Sequence, residues 1–365
     1  MSAEPIETQS AKLARPVGPR TTCARQAAGS RRGPDRSGAA RYDTGAVRAT
    51  ASLGAFYNPI SPGVPAMDQL KKLGVYITGE PGDDEALAFA ALLARAQRPE
   101  SIHCIHVRGI EGPTDGPVIS PEDIEARLRK ALPPELAAGT RVHISGATGL
   151  PEILRTARDR DLDLLVVGRR LPTDQLGLGS VFYRLARKTP CDVLVVPQHA
   201  YAHLNRLLVL VDGSDHSLMA LRTALRLARS TGGPPQVLVQ SVFDLPYGYR
   251  KAGVTIQEAI RQREALRRKE LEACFAGIDT TGVDFQVVYT CARDTAAAAH
   301  SLASADHMDA IVVGSRGATL PAIALLGGTA ERVLLNAPTP VLVVKRKGET
   351  FGFLDAVLAQ FKSSG

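Results

Sequence analysis

One segment of this chain occurs twice, and that repetition limits the fold more than any other feature. HLNRLLVLVDGSDHSLMALRTALRLARS (203–230) lies 134 positions after QLKKLGVYITGEPGDDEALAFAALLARA (69–96), with apolar residues matching at Leu73/Leu207, Val75/Val209, Ile77/Val211 and Leu93/Leu227. Further on, LDLLVVG (162–168) matches MDAIVVG (308–314) at an offset of 146, and DVLVVP (192–197) matches PVLVVK (340–345) at 148. Similarity over so long a period predicts two copies of one folding unit rather than one large domain. The chain then divides into an extension over 1–66, units over 67–198 and 203–346 joined by PQHAYAH, and a tail over 347–365.

Each unit alternates short apolar, β-branched runs with amphipathic stretches. In the second, strands are predicted at 207–211, 236–242, 284–290, 309–313 and 341–344, with helices at about 216–230, 255–276, 294–305 and 328–336. In the first, strands are predicted at 73–78, 101–107, 141–145, 163–167 and 193–196. Strands that are apolar throughout and alternate with helices form a parallel sheet covered on both faces. The fold class is therefore α/β, two tandem doubly wound parallel-sheet domains with right-handed crossovers.

Composition narrows the partners. The net charge is +7, but residues 1–66 hold nine Arg/Lys against four Asp/Glu, leaving 35 against 33 for the rest. A near-neutral folded part gives no electrostatic footprint for nucleic acid. No apolar run reaches the length of about 18 residues that a membrane span needs. Residues 1–66 lack periodicity and read as a disordered basic extension; a transit-type segment, a basic arm and a start at Met67 are the other readings. Five widely spaced cysteines without a CxxC pair fit reduced thiols and a cytoplasmic location.

The stretch GSRGATLPAIALLGGTAERVL (314–334) follows strand four of the second unit and sets nine residues between Gly317 and Gly327. In open parallel sheets ligands gather at the carboxyl ends of the strands, near the reversal of strand order. Glycines there let main-chain N–H groups approach an anion, and the helix start at Gly327–Thr329 adds partial positive charge. VLVDGSDHSLMAL (209–221), IVVGSRG (311–317), the nine-residue gap, GGTAERVL (327–334) and PVLVVK together resemble a universal stress protein domain, in tandem over about 70–346. That family's pattern is G-2x-G-9x-G-[S/T], with an Asp ending strand one.

The resemblance implies an adenine nucleotide α-hydrolase-like fold binding ATP, or AMP or ADP, with Mg²⁺ accompanying ATP. It assigns Asp212, with Val239 and Gln240, to the base, and Gly314, Arg316, Gly317, Gly327, Gly328 and Thr329 to the ribose and phosphates. Asp212 also fits a turn residue in a D-G-S sequence that caps the next helix. Gly328 stands where the family has Ser or Thr, so Thr329 would have to supply a hydroxyl. In the first unit Thr78 replaces Asp212, Leu171 replaces the second glycine, and Gly179-Ser180 comes two residues early. That unit is expected to be degenerate.

Other polar features read as structural. Asp83, Asp84 and Glu85 are expected to be helix-dipole partners, and His103 and His106 point to opposite sheet faces, where they cannot share a metal. RQREALRRK (261–269) reads as a solvated helix face, and the tail helix GFLDAVLAQF (352–361) as docking on its own chain. No nucleophile–base pair is visible, so the expectation is a non-enzymatic stress-response regulator acting through an unidentified protein partner. The alternatives are a scaffold with decayed pockets and an ATP-using enzyme of a related fold. Strands 193–196 and 341–344 are expected to pair as an internal pseudo-dimer, with a homodimer as a further option.

Overall fold

The computed structural model describes residues 47–49, 70–79, 82–107, 119–145, 149–169, 181–245, 253–317 and 326–347. The first repeat contributes β2 (Lys72–Tyr76), α1 (Asp83–Gln97), β3 (Ser101–Val107), α2 (Pro121–Ala131), α3 (Pro134–Gly139), β4 (Thr140–Ser145), α4 (Leu150–Asp159), β5 (Leu164–Arg169), α5 (Val181–Lys188) and β6 (Asp192–Pro197). The second contributes β7 (Arg206–Leu210), α6 (Asp215–Ser230), β8 (Gln236–Phe243), α7 (Ile256–Phe275), β9 (Asp284–Cys291), α8 (Thr295–Ala305), β10 (Ala310–Gly314), α9 (Gly328–Asn336) and β11 (Val341–Val344). Four helices start where short polar side chains satisfy their first amides. Ser120, Ser214, Thr255 and Asp294 cap α2, α6, α7 and α8, and Thr255 forms a reciprocal capping box with Glu258.

All described strands join one eleven-stranded sheet in the order β1-β9-β8-β7-β10-β11-β6-β5-β2-β3-β4. Within each repeat the strands are parallel, and the order turns back between the first and fourth strands. The repeats meet through β11 and β6, which pair antiparallel with Val341 opposite Val195, Leu342 opposite Leu194 and Val343 opposite Val193. At the 148-residue offset of this block Leu194 and Leu342 are equivalent residues, so a residue pairs with its own counterpart at the centre. That is the self-complementary register of a two-fold interface, built inside one chain. The expected internal pseudo-dimer is present, and neither β6 nor β11 is left as an open edge.

Two apolar cores lie on opposite sheet faces, and both run across the junction. One gathers Val75, Phe89, Leu93, Leu194, Val209 and Leu342 under the first two helices of each repeat. The other gathers Ile153, Leu165, Val193, Ile311, Val333 and Val343 under the last two. The repeats also clasp each other through helix ends. Arg169 donates from β5 to Leu334 O at 3.0 Å, Leu335 O at 3.2 Å and Ala337 O, the carbonyls that end α9. In return, Lys345 Nζ beyond β11 donates to Thr189 O at 2.6 Å, just past α5. A cation at each helix C-terminus fits the dipole and satisfies orphan carbonyls.

A repeated aspartate anchors each sheet. Asp163 Oδ2 accepts the amides of Lys71 and Lys72, both at 2.8 Å, and Asp309 Oδ2 accepts those of Asn205 and Arg206, both at 2.9 Å. Each carboxylate thus ties the entry of strand four to the entry of strand one. Asp309→Ala leaves two main-chain donors without that acceptor. It is expected to lower unfolding stability by about 2–4 kcal/mol, read as a shift in urea midpoint at unchanged slope.

A short strand, β1 (Val47–Ala49), pairs antiparallel with β9, placing Val47 opposite Tyr289. It lies within the stretch expected to form no regular structure. Leu171, Gly179, Ser180 and the tail over 352–361 lie outside the described residues.

Candidate functional site

In the second repeat the strand order turns back between β7 and β10, and in parallel sheets the carboxyl ends at such a reversal are where a ligand crevice forms. Asp212 follows β7 at the rim and is exposed. Its Oδ1 accepts the Ser214 amide at 3.0 Å and the Ser214 hydroxyl at 2.5 Å. Ser214 in turn caps α6 through the Ser217 amide. The turn reading of Asp212 is therefore realised in one carboxylate oxygen. The other faces Gly317, where a Cβ would lie 2.8 Å from Oδ2. The main chain after β10 therefore passes close beside this carboxylate, and a side chain at 317 would make Asp212 shift.

Gly314 ends β10 and serves packing: a Cβ there would lie 2.7 Å from the carbonyl carbon and oxygen of His216 in the first turn of α6. Gly168, its counterpart, would meet Gly82 O at 2.6 Å. Ser315 links the strand end to the last helix, donating to Val344 O at 2.8 Å and accepting the Gly327 amide at 2.7 Å. Gly327 is therefore committed to the protein, while Gly328 and Thr329 open α9 next to the strand end. No side chain caps α9, and the Gly328, Thr329 and Ala330 amides have no acceptor among the described residues. A Cβ on Gly328 would meet nothing within 4 Å. Asp212, Gly314, Arg316, Gly317, Gly327, Gly328 and Thr329 thus share one edge of the sheet.

The two strand-two residues lie differently. Val239 is fully buried in the core beneath α6, paired with Val209 and Val287 inside the sheet. Its side chain does not reach the crevice. Gln240 sits closer, since its carbonyl accepts the amide of Val211, one residue before Asp212. Its side chain is buried, donating to Thr290 Oγ1 at 3.0 Å, and its Oε1 has no partner. One residue was missed: Arg346, at the carboxyl end of β11, whose Nη2 lies 3.4 Å from Asp215 Oδ2 on α6. The signal was available, because residues two past the ends of adjacent parallel strands, Arg316 and Arg346, project from one edge.

The first repeat shows what its substitutions did. Thr78 occupies the position of Asp212, and Asp83 that of Ser217, so acid and hydroxyl have exchanged places. Asp83 is buried and accepts Thr78 N at 3.0 Å, Thr78 Oγ1 at 3.0 Å and Gly79 N at 2.6 Å, with Arg127 3.4 Å away. Burial raises its carboxyl pKa, against the pull of the Thr78 and Gly79 amides. Asp83 lies in the first turn of α1, as a helix-dipole partner does. It also closes the loop after β2, helped by Ile119 packed against Gly79. His106 hydrogen-bonds Ile77 O at 2.9 Å, and His103 pairs with His143 on the opposite face. Buried Cys104 and Cys191 have thiols pushed up to about 12 by desolvation, which suits small core residues.

The fold defines a tandem α/β protein whose two repeats arrange their strand-one ends differently. The universal stress protein family matches residues 69–197 and 203–345, and the chain belongs to that family. A protein of unknown function from Pseudomonas aeruginosa PAO1 has a similar structure at 18% identity and TM-score 0.54, covering 80% of this chain and 98% of its own. A protein from Pseudomonas aeruginosa UCBPP-PA14 assigned to the universal stress proteins is similar at 19% identity and TM-score 0.55, covering 81% of this chain and 100% of its own. These two show a shared fold. No curated protein matches the sequence.

Among the described residues, no helix is long and apolar enough to cross a membrane, and no group of three or more His, Cys, Asp or Glu is placed to hold a metal ion.

Proposed function

We propose that the second repeat binds one adenine nucleotide in the crevice between β7 and β10, and that the protein acts as a nucleotide-responsive regulator of a protein partner. The observation that carries this reading is Gly317 beside Asp212 Oδ2, with the uncapped start of α9 on the same edge. A carboxylate with one oxygen turned inward is an acceptor for ribose or base donors. The Gly328, Thr329 and Ala330 amides suit phosphate oxygens, with the Thr329 hydroxyl in place of the family's Ser or Thr. Arg316 and Arg346 add charge for the polyphosphate. Gln240 lies where the base would approach, and Val239 supports it from the core. ATP would bring its Mg²⁺ with it, since Mg²⁺ is usually held by substrate phosphates rather than by an all-protein cage.

The residues fit a ligand site better than a catalytic one, because the Ser214 hydroxyl on Asp212 Oδ1 is part of the turn that caps α6. The nucleotide would act through its different affinity for two states of the protein, as any ligand must to shift an equilibrium. Calorimetric titration with ATP tests this. Wild type is expected to bind, and Asp212→Ala to bind about 10–100-fold more weakly, the range for losing a hydrogen bond to a charged group. Equal affinity for the two proteins removes Asp212 from the site. No binding by wild type favours the scaffold reading.

A further inference from the structure

The first repeat has a cavity whose polar lining differs from the residues at the equivalent place in the second. It measures about 570 Å³ and lies between β3, the outer strand β4 and α4, lined among others by His143, Ser145, Glu152, Arg155, Thr156 and Arg160. Parallel pairing makes His103 equivalent to Leu238 and His143 equivalent to Val288. On the helix above, Glu152, Arg155, Thr156, Asp159 and Arg160 replace Ala298, Ser301, Leu302, Ala305 and Asp306 at the 146-residue offset. In the second repeat Leu238, Val288 and Ala299 belong to the packed core here, and buried Gln240 and Thr290 hydrogen-bond each other at the positions of Ile105 and Ser145. At the same fold position the first repeat lines open volume with Arg155, Arg160, Glu152, Asp159 and His143, and buried His103 lies behind His143.

The charges around this groove are unevenly paired. Glu152 is tied to Arg155 at 2.6 Å, and Asp159 to Arg158 at 3.0 Å. Arg160 has no side-chain partner among the described residues. His103 is buried, with Ser101 Oγ 3.0 Å from its Nε2 and His143 Nε2 2.9 Å from its Nδ1. The rings stack with centroids 5.2 Å apart. We propose that this groove is a second ligand site, which takes a small organic anion with its phosphate or carboxylate head group between Arg160, Arg155 and His143.

The protonation of the pair agrees with that geometry. Burial first, then His143 and the charges of Arg141, Arg160 and Lys72, bring His103 down to about 4. His143 is lowered by burial and then by Arg160 and Arg141. The groups facing His143 are thus His103 on β3, Arg141 on β4, and Arg155, Arg160, Glu152 and Asp159 on and beyond α4. The charges that lower His143 are those of Arg160 and Arg141, and an anion bound beside them would offset that effect. Binding then draws a proton onto His143, so affinity rises as pH falls through the His143 pKa.

Imidazole NMR of the intact chain tests this, using inorganic phosphate and succinate as separate probes and His143→Gln to assign the resonance. A saturable His143 shift and an upward move of its titration midpoint are expected with at least one probe. Response to phosphate alone identifies a phosphate-bearing ligand, and response to succinate alone a carboxylate. Arg160 is exposed, so Arg160→Gln should fold and weaken the response at least about tenfold. Asp212→Ala should leave it unchanged, which separates this site from the crevice of the second repeat. Absence of saturation with both probes, or an unchanged response in Arg160→Gln, overturns the proposal.

Discussion

Arg169→Met is expected to lower the stability of the whole chain by about 3 kcal/mol or more, because it strips a buried donor from three carbonyls at once. Arg169 leaves the first repeat at the end of β5 and reaches Leu334 O, Leu335 O and Ala337 O of the second, with its guanidinium 5.7 Å from the Phe182 ring centroid. Methionine keeps much of the stem volume and none of the donors. For a protein of this size the loss corresponds to a melting temperature lower by about 4–5 °C. Arg169→Lys should recover only part of it, since an ammonium lacks the planar fork that spans several acceptors. A melting curve within 1–2 °C of wild type, about the noise of such scans, would show that the repeats are held by the β6–β11 ladder alone.

The second large effect separates packing from binding. Alanine at Gly314 puts a Cβ 2.7 Å from main-chain atoms of His216, and alanine at Gly168 puts one 2.6 Å from Gly82 O. Main chain in a helix's first turn cannot step aside as a side chain can. Both substitutions should therefore cost about 1–3 kcal/mol of stability. Only Gly314→Ala pushes the first turn of α6 away from β10 and moves Asp212 relative to Gly317. It alone is expected to weaken ATP binding, by about tenfold, or ~1.4 kcal/mol. Chemical denaturation and titration on the same two proteins check the pair of outcomes. Equal loss of affinity in both would mean that the nucleotide is not confined to the second repeat.

Much of the fold was legible because its determinants are local. β-Branched runs such as LLVLV and VLVV can only be buried strands, and the repeat offset doubled every such inference. The helix starts expected near 216, 255 and 294 fall beside Ser214, Thr255 and Asp294, whose side chains meet the first amides. Most of the crevice residues were legible too, as glycines and one Asp at strand ends. Long-range partners were not. Arg169 and Lys345 perform matching tasks at positions that are not equivalent in the repeat, so no sequence comparison aligns them. The burial of Asp83 was hidden because an acid in a helix's first turn reads as a dipole partner whether it faces water or folds back on loop amides. The polar groove of the first repeat was hidden for a similar reason: Arg155 and Arg160 look like a solvated helix face until β4 and His143 are placed beneath them.

The exchange of Asp212/Ser217 for Thr78/Asp83 makes the two repeats unequal in a way that can be counted. In the second repeat the carboxylate stays at the rim; in the first it is spent on the Thr78 and Gly79 amides. Native mass spectrometry of the intact chain with excess ATP reads the consequence directly. One nucleotide per chain is expected, lost in Asp212→Ala and kept when Thr78 is replaced by Ala. A chain that stays at its unliganded mass, or one that takes up two nucleotides, contradicts the assignment of a single open crevice.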